Sequence, residues 1–245
     1  MTARTGRETT QRAQSNVVGV ALLIGLTMLS LGALTATVGT VLDDNAAVGD
    51  VERVANDLDD AVAPTETTGS HAGRVTFTDG ALRTEERTVR VLRDGDLVVE
   101  RSTTALVYDR GDYGVTAVAG AVVRDHAGSR SMAANPPVSV SESVIVVGVA
   151  AIEAGTIAIE GGPTTRTLDT EVSHDRVVES ESGEWAVAVE TPDPEPWDRS
   201  FTERGANVET REFAGDDQPS VVATFEGDRT AHVVVHHVDA EVRDG

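Results

Sequence analysis

The sequence contains no cysteine and no lysine. Without thiols, a disulfide framework, thiol catalysis, a zinc ribbon and an iron–sulfur cluster are all excluded. Aromatic residues make up 3% of the chain, too few for the stacking platforms that hold bases or sugars. Positive charge is scarce as well. Twenty basic residues, all arginine, stand against 41 acids and leave a net charge of -21. Such a surface repels phosphate, which excludes nucleic acid as a partner. The G-x-S-x-G, P-loop and G-x-G-x-x-G patterns are missing, and none of the asparagines at 16, 45, 56, 135 and 207 begins an N-x-S/T sequon. These absences predict a protein that is not an enzyme and carries no cofactor.

What is present is apolar bulk: 40% of the residues are hydrophobic, chiefly Val and Ala, too many for a disordered chain. The acidic surplus fits life in concentrated salt. At about 1 M salt the Debye length is about 3 Å, so an acidic surface keeps the protein soluble at little cost in self-repulsion. Arginine without lysine fits the same setting, and a GC-rich codon bias gives the same signal.

The N-terminal part carries the strongest pattern. No charge lies between Arg12 and Asp43, and Val17–Leu42 holds 13 Val, Leu and Ile residues. As a helix this run would measure about 39 Å, enough for a hydrocarbon layer of about 30 Å. Arg4, Arg7 and Arg12 precede it, and Asp43, Asp44 and Asp50 follow it. The positive-inside rule then places residues 1–12 in the cytoplasm and the chain after Leu42 outside. A secretory signal peptide has a shorter apolar core and a small-residue cleavage site. The remaining readings are a plain anchor and a processed leader.

The stretch Arg12-Ala13-Gln14-Ser15-Asn16-Val17-Val18-Gly19-Val20 resembles the start of archaeal type IV pilins, especially haloarchaeal ones. In that family a short basic leader ends in Arg-Ala or Arg-Gly. A polar tripeptide follows, commonly with Pro third where this chain has Asn16, and then an apolar run with an early Gly. Residues 106–137 also resemble the middle of uncharacterised haloarchaeal pilin-like proteins. The resemblance implies a prepilin peptidase cutting between Ala13 and Gln14 with Arg12 recognised. It also implies other pilin-like subunits and the cytoplasmic membrane as partners. Gly19, Gly25, Gly32 and Gly39 would form the helix assembly surface, since small residues let backbones approach.

Beyond Leu42, Val48, Val51, Ala55, Leu58 and Val62 step by three and four between acids, which predicts an amphipathic continuation of the helix. From Arg74 the pattern is β. Strands are expected at 74–78, 88–92, 97–101, 104–108, 114–124, 143–152, 156–160, 167–173, 185–190, 206–213, 220–225 and 231–242, with a hairpin turn at Asp94-Gly95. One short helix is expected at 196–204, with Trp197 and Phe201 on one face.

Candidate chemistry is thin. His232 and His236 would point the same way on a strand about 13 Å apart, too far to share a metal, and His237 would face the other side. Asp43-Asp44, Asp59-Asp60 and Asp216-Asp217 read as solvated surface. Arg110-Gly111-Asp112 spells an adhesion tripeptide and is also an ordinary turn.

The expected fold class is α+β: a long N-terminal helix, transmembrane and then amphipathic, carrying an antiparallel β-rich extracellular head in the manner of a pilin. The expected organisation is a leader at 1–13, helix at 14–63, linker at 64–73 and β domain at 74–245. The expected function is a structural subunit, a minor pilin or pseudopilin of a type IV pilus-like filament in an extreme halophile. It would sit single-pass in the cytoplasmic membrane, N-terminus inside, and at the cell surface after assembly. The alternative is a monomeric membrane-anchored surface binding protein with an acidic β-rich ectodomain.

Overall fold

The computed structural model describes residues 8–62 and 68–244; the side chains of residues 8–19, 37, 39–41, 176–181 and 244 lie outside the described set. One helix, α1, runs over Glu8–Val62. Strands follow: β1 Gly69–Phe77, β2 Ala81–Arg93, β3 Asp96–Arg110, β4 Tyr113–Val118, β5 Ala121–His126, β6 Ser129–Ala134, β7 Val138–Val140, β8 Val144–Ala154, β9 Ala158–Glu160 and β10 Thr164–Glu190. After α2, Pro194–Thr202, come β11 Asn207–Arg211 and β12 Ser220–Asp244. The chain divides into two units, residues 1–46 and 47–245.

The second unit is built on one 12-stranded sheet in the order β6-β5-β4-β3-β2-β10-β12-β8-β7. Strand β1 is added to β10, β11 to β12 and β9 to β2. All pairs are antiparallel except β12 with β8, which is parallel from Thr230↔Val144 to Ala240↔Ala154. The expected hairpin at Asp94-Gly95 forms between β2 and β3, both residues having positive φ, 52° and 85°.

Two long strands, β10 and β12, organise the sheet. They pair from Arg166↔Asp244 to Glu190↔Ser220, with register shifts on either side of Gly183. A Cβ on Gly183 would lie 2.8 Å from side-chain atoms of Arg93 and Asp94, so the bulge is a place of close approach. The sequence pattern suggests four strands here, 167–173 and 185–190, then 220–225 and 231–242. The sheet joins each pair into one.

Strand alternation sends successive residues to two different cores. In β3, Ala105 and Val107 enter one core, which also holds Trp185, Trp197, Phe201 and Phe225. Leu106 and Tyr108 enter the other, with Phe77, Leu82, Ile152 and Leu168. Helix α2 covers the first core, burying Trp197 and Phe201 with ring centroids 5.9 Å apart. The second core is closed by the last turns of α1: Val51, Val54, Ala55, Leu58, Ala61 and Val62 are all buried in it. Gly73 makes this packing possible, because a Cβ there would stand 2.6 Å from the Cβ of Ala61.

Two expectations are corrected. The fold is mostly antiparallel sheet, not a head carried on a long helix. The end of α1 is a component of the sheet's own core, because the valines and leucine of residues 51–62 share one buried cluster with apolar side chains of the sheet, among them Phe77, Leu106, Ile152 and Leu168. The second correction concerns the membrane. Among the described residues no helix is long and apolar enough to cross one. The single-pass placement with the N-terminus inside and the β domain outside therefore does not stand.

Candidate functional site

In the first unit, α1 presents apolar side chains on all sides. Leu22, Leu23 and Ile24 follow one another at about 100° around the axis, and they are 70%, 64% and 51% exposed. Leu26, Met28, Leu29, Leu31 and Leu34 are exposed in the same way. The hydroxyls of Thr27 and Thr35 donate to carbonyls of the preceding turn, at 2.8 Å each to Ile24 and Leu31. They therefore add no demand for a polar partner. An exposed apolar surface of this extent marks a place where something else packs. Gly25 and Gly32 have open space where a Cβ would be. Gly19 and Gly39 lie outside the described side chains, as do Arg12, Ala13 and Gln14, whose backbone belongs to α1.

In the second unit, a carboxylate clamp fixes α1 to the sheet. Asp50 is 1% exposed and sits four residues before Val54, at the border of the apolar stripe. Its Oδ2 accepts the Thr78 amide at 3.0 Å and the Thr78 hydroxyl at 2.6 Å, and Arg110 donates to it at 2.5 Å. Its Oδ1 takes Arg53 at 2.7 Å. Burial pushes the carboxyl up, but the Thr78 hydroxyl and amide and the Arg110 guanidinium outweigh it and hold it below its ordinary range. Further along the helix, Glu52 pairs with Arg124 at 2.6 Å, and Asp57, about two turns beyond Asp50, accepts the Thr76 amide at 2.9 Å. Burial dominates at Asp57 and raises its carboxyl.

This clamp settles the Arg110-Gly111-Asp112 turn. Recognition as an adhesion tripeptide requires a free arginine, and the Arg110 side chain is spent on Asp50. Sequence reading missed Asp50 because it looked like one more acid on a solvated helix face. The available signal was its position, three residues after Ala47 and four before Val54, both buried.

A second buried pair lies at Arg90, which donates to both oxygens of Asp216 at 2.7 and 2.6 Å and to Glu100 at 2.6 Å. Its guanidinium lies 4.5 Å from the centre of the Phe213 ring. Bonding to Asp216 raises Arg90 further above its ordinary value, against the opposing effect of burial. Asp216 is therefore not solvated surface, as its place in an acid pair suggests, but the anchor of the loop between β11 and β12. Glu190 fixes the same loop by accepting the amides of Asp217 and Gln218, both at 3.0 Å.

A groove of about 710 Å³ opens beside β3, β4 and β5. Its arginines are consumed by its own acids: Arg83 by Glu85 at 2.8 Å and by Asp109, Arg87 by Glu85, and Arg130 by Asp125 and Asp193 at 2.8 and 2.9 Å. That pairing leaves no oriented cation for a small anion.

The histidines are rearranged by strand pairing. His237 turns to Asp175 at 3.1 Å, and His236 meets His174, directly opposite on β10, with their Nδ1 atoms 3.0 Å apart. His232 does not join them. Among the described residues, no group of three or more metal-ligating side chains converges.

The class defined by these features is a β-sheet protein whose second core is closed by the end of an N-terminal helix. The chain belongs to a family of unknown function, DUF7289, which it matches over residues 12–241. No curated protein and no solved structure matches it.

Proposed function

We propose that this chain is a structural subunit, a minor pilin or pseudopilin of a type IV pilus-like filament in an extreme halophile. In this reading the apolar stretch of α1 packs against the same stretch of neighbouring subunits. A prepilin peptidase first removes residues 1–13, cutting between Ala13 and Gln14. The observation that carries the proposal is the exposure of large apolar side chains on every side of α1 between Val20 and Leu42. Each leucine fully buried by a neighbour would contribute about 1.5–3 kcal/mol. The open space at Gly25 and Gly32 supports it, since close helix approach needs a missing side chain. The likeness of residues 12–20 to archaeal pilin leaders supplies the class of filament.

The test compares wild type with Gly25→Leu/Gly32→Leu in purified filaments, with mass spectrometry of the mature N-terminus. Wild type is expected in filaments and to begin at Gln14. The double variant keeps its folded β unit by circular dichroism but is lost from filaments, because added bulk separates the helices. An intact peptide containing Arg7 and Arg12, or a double variant that assembles as well as wild type, overturns the reading. A wild type that stays monomeric overturns it in favour of a binding protein with an acidic β domain.

A further inference from the structure

The geometry points to a two-histidine chelate between β10 and β12, formed by His174 and His236, for a divalent metal of square-planar or tetragonal preference, copper(II) first. The two residues are direct antiparallel partners in the strand register, and their side chains leave the same face of the sheet. Their rings meet edge to face, with centroids 4.9 Å apart and an interplanar angle of 86°. The Nδ1 atoms stand 3.0 Å apart. Two nitrogens at that separation, each about 2.05 Å from a metal, subtend about 94° at it. That is the cis angle of square-planar and octahedral coordination. A tetrahedral zinc at the same bond length needs its nitrogens about 3.3 Å apart. Imidazole nitrogens at right angles suit copper(II) and nickel(II), and copper(II) is bound more tightly of the two.

The surroundings hold the rings for this task. His236 is backed by a glycine: a Cβ on Gly148 would lie 3.0 Å from His236 Nε2 and 3.0 Å from Pro137. The bare α-carbon therefore gives the ring room with its Nδ1 turned towards β10. On the other strand, His174 Nε2 is buried with no hydrogen-bond partner, so its described polar contact is through Nδ1. Without metal, one Nδ1 must carry a proton and the other must accept it. With metal, both rings carry their protons on Nε2 and both Nδ1 lone pairs turn to a common point. With no third protein ligand among the described residues, solvent completes the coordination sphere and the metal exchanges freely.

Copper(II) chloride, added at one equivalent to the full chain and followed by electron paramagnetic resonance, tests this. Wild type is expected to show coupling to two imidazole nitrogens. His174→Gln and His236→Gln should each lose that two-nitrogen signal, while His232→Gln and His237→Gln keep it. A measurement on wild type alone covers the case in which a variant fails to fold: the ring proton resonances of His174 and His236 should broaden first as copper is added. Absence of the two-nitrogen signal at one equivalent overturns the site. So does its persistence in either variant of the pair, or earlier broadening of another histidine.

Discussion

Residues 20–42 and 47–62 belong to the same helix, and both are rich in leucine, valine and alanine. Leu29 in the first is 74% exposed, and Leu58 in the second is fully buried. The difference is not in the residues but in what stands opposite them. From Ala47 onward, the apolar residues gather on a single side with the acids outside that stripe, Asp50 alone being buried at its border, so one sheet face can cover them. From Val20 to Leu42 the apolar residues leave no polar side, and no single sheet face could cover them. Amphipathic patterning thus marks the part of the helix that folds with its own chain, and uniform apolarity marks the part whose side chains stay exposed.

Cutting the chain between these regions should have the largest effect. A chain of residues 47–245 retains both cores and is expected to unfold cooperatively in molar KCl, followed by circular dichroism. A chain of residues 65–245 loses the closing side of the second core, from Val51 to Val62, and should show no cooperative transition.

Next come point changes in the folded region. Asp50→Ala leaves Arg110 and the Thr78 amide without their partner. Breaking a buried pair in this way costs about 3–5 kcal/mol, measurable by urea denaturation at fixed salt. Leu58→Ala should cost about 2–5 kcal/mol. Leu29→Ala should change the stability of the isolated chain by less than about 0.5 kcal/mol. A similar cost at both leucines would erase the distinction between the two regions.

The smallest effects are electrostatic. Asp50 is held below its ordinary value of 3.8, so its contribution to stability is present above that pH and is lost as pH falls through the lower folded-state value. Asp57 and Asp193 are raised by burial, so their charged forms cost stability near neutrality. That cost is relieved as pH falls through their raised values towards 3.8. The melting temperature should therefore rise slightly on mild acidification and collapse only below the usual carboxylate range. Asp57→Asn, which can still accept the Thr76 amide, should remove part of the rise and change neutral stability by about 0.5 kcal/mol or less.

Strands were easier to read than their extent. The breaks expected near Ser102-Thr103 and between residues 173 and 185 are not breaks. Thr103 is 2% exposed, yet its hydroxyl donates to the Ala150 carbonyl at 3.0 Å and accepts the Ile152 amide at 3.1 Å. Strand β8 satisfies the polar residue, so β3 runs on through it. A sequence shows that a polar residue interrupts an apolar run, but not that a distant strand will bond it. Turns were legible where backbone chemistry is local, as at Asp94-Gly95. The parallel pairing of β12 with β8 was not, because no local signal distinguishes it from an antiparallel neighbour.

By itself the sequence determined what depends on residue type and near spacing: the absence of thiol chemistry, the acidic surface, the apolar stripe of residues 51–62, the hairpin turns and the buried face of α2. Only the tertiary structure decided which acids are buried anchors. Asp50 and Asp216 look like any of the 41 acids until Arg110 and Arg90, distant in sequence, are brought against them. The same holds for His174 and His236, which become partners through the register of two long strands. Charge and hydropathy are properties of single residues. Burial and pairing belong to the contacts among them, which folding alone creates.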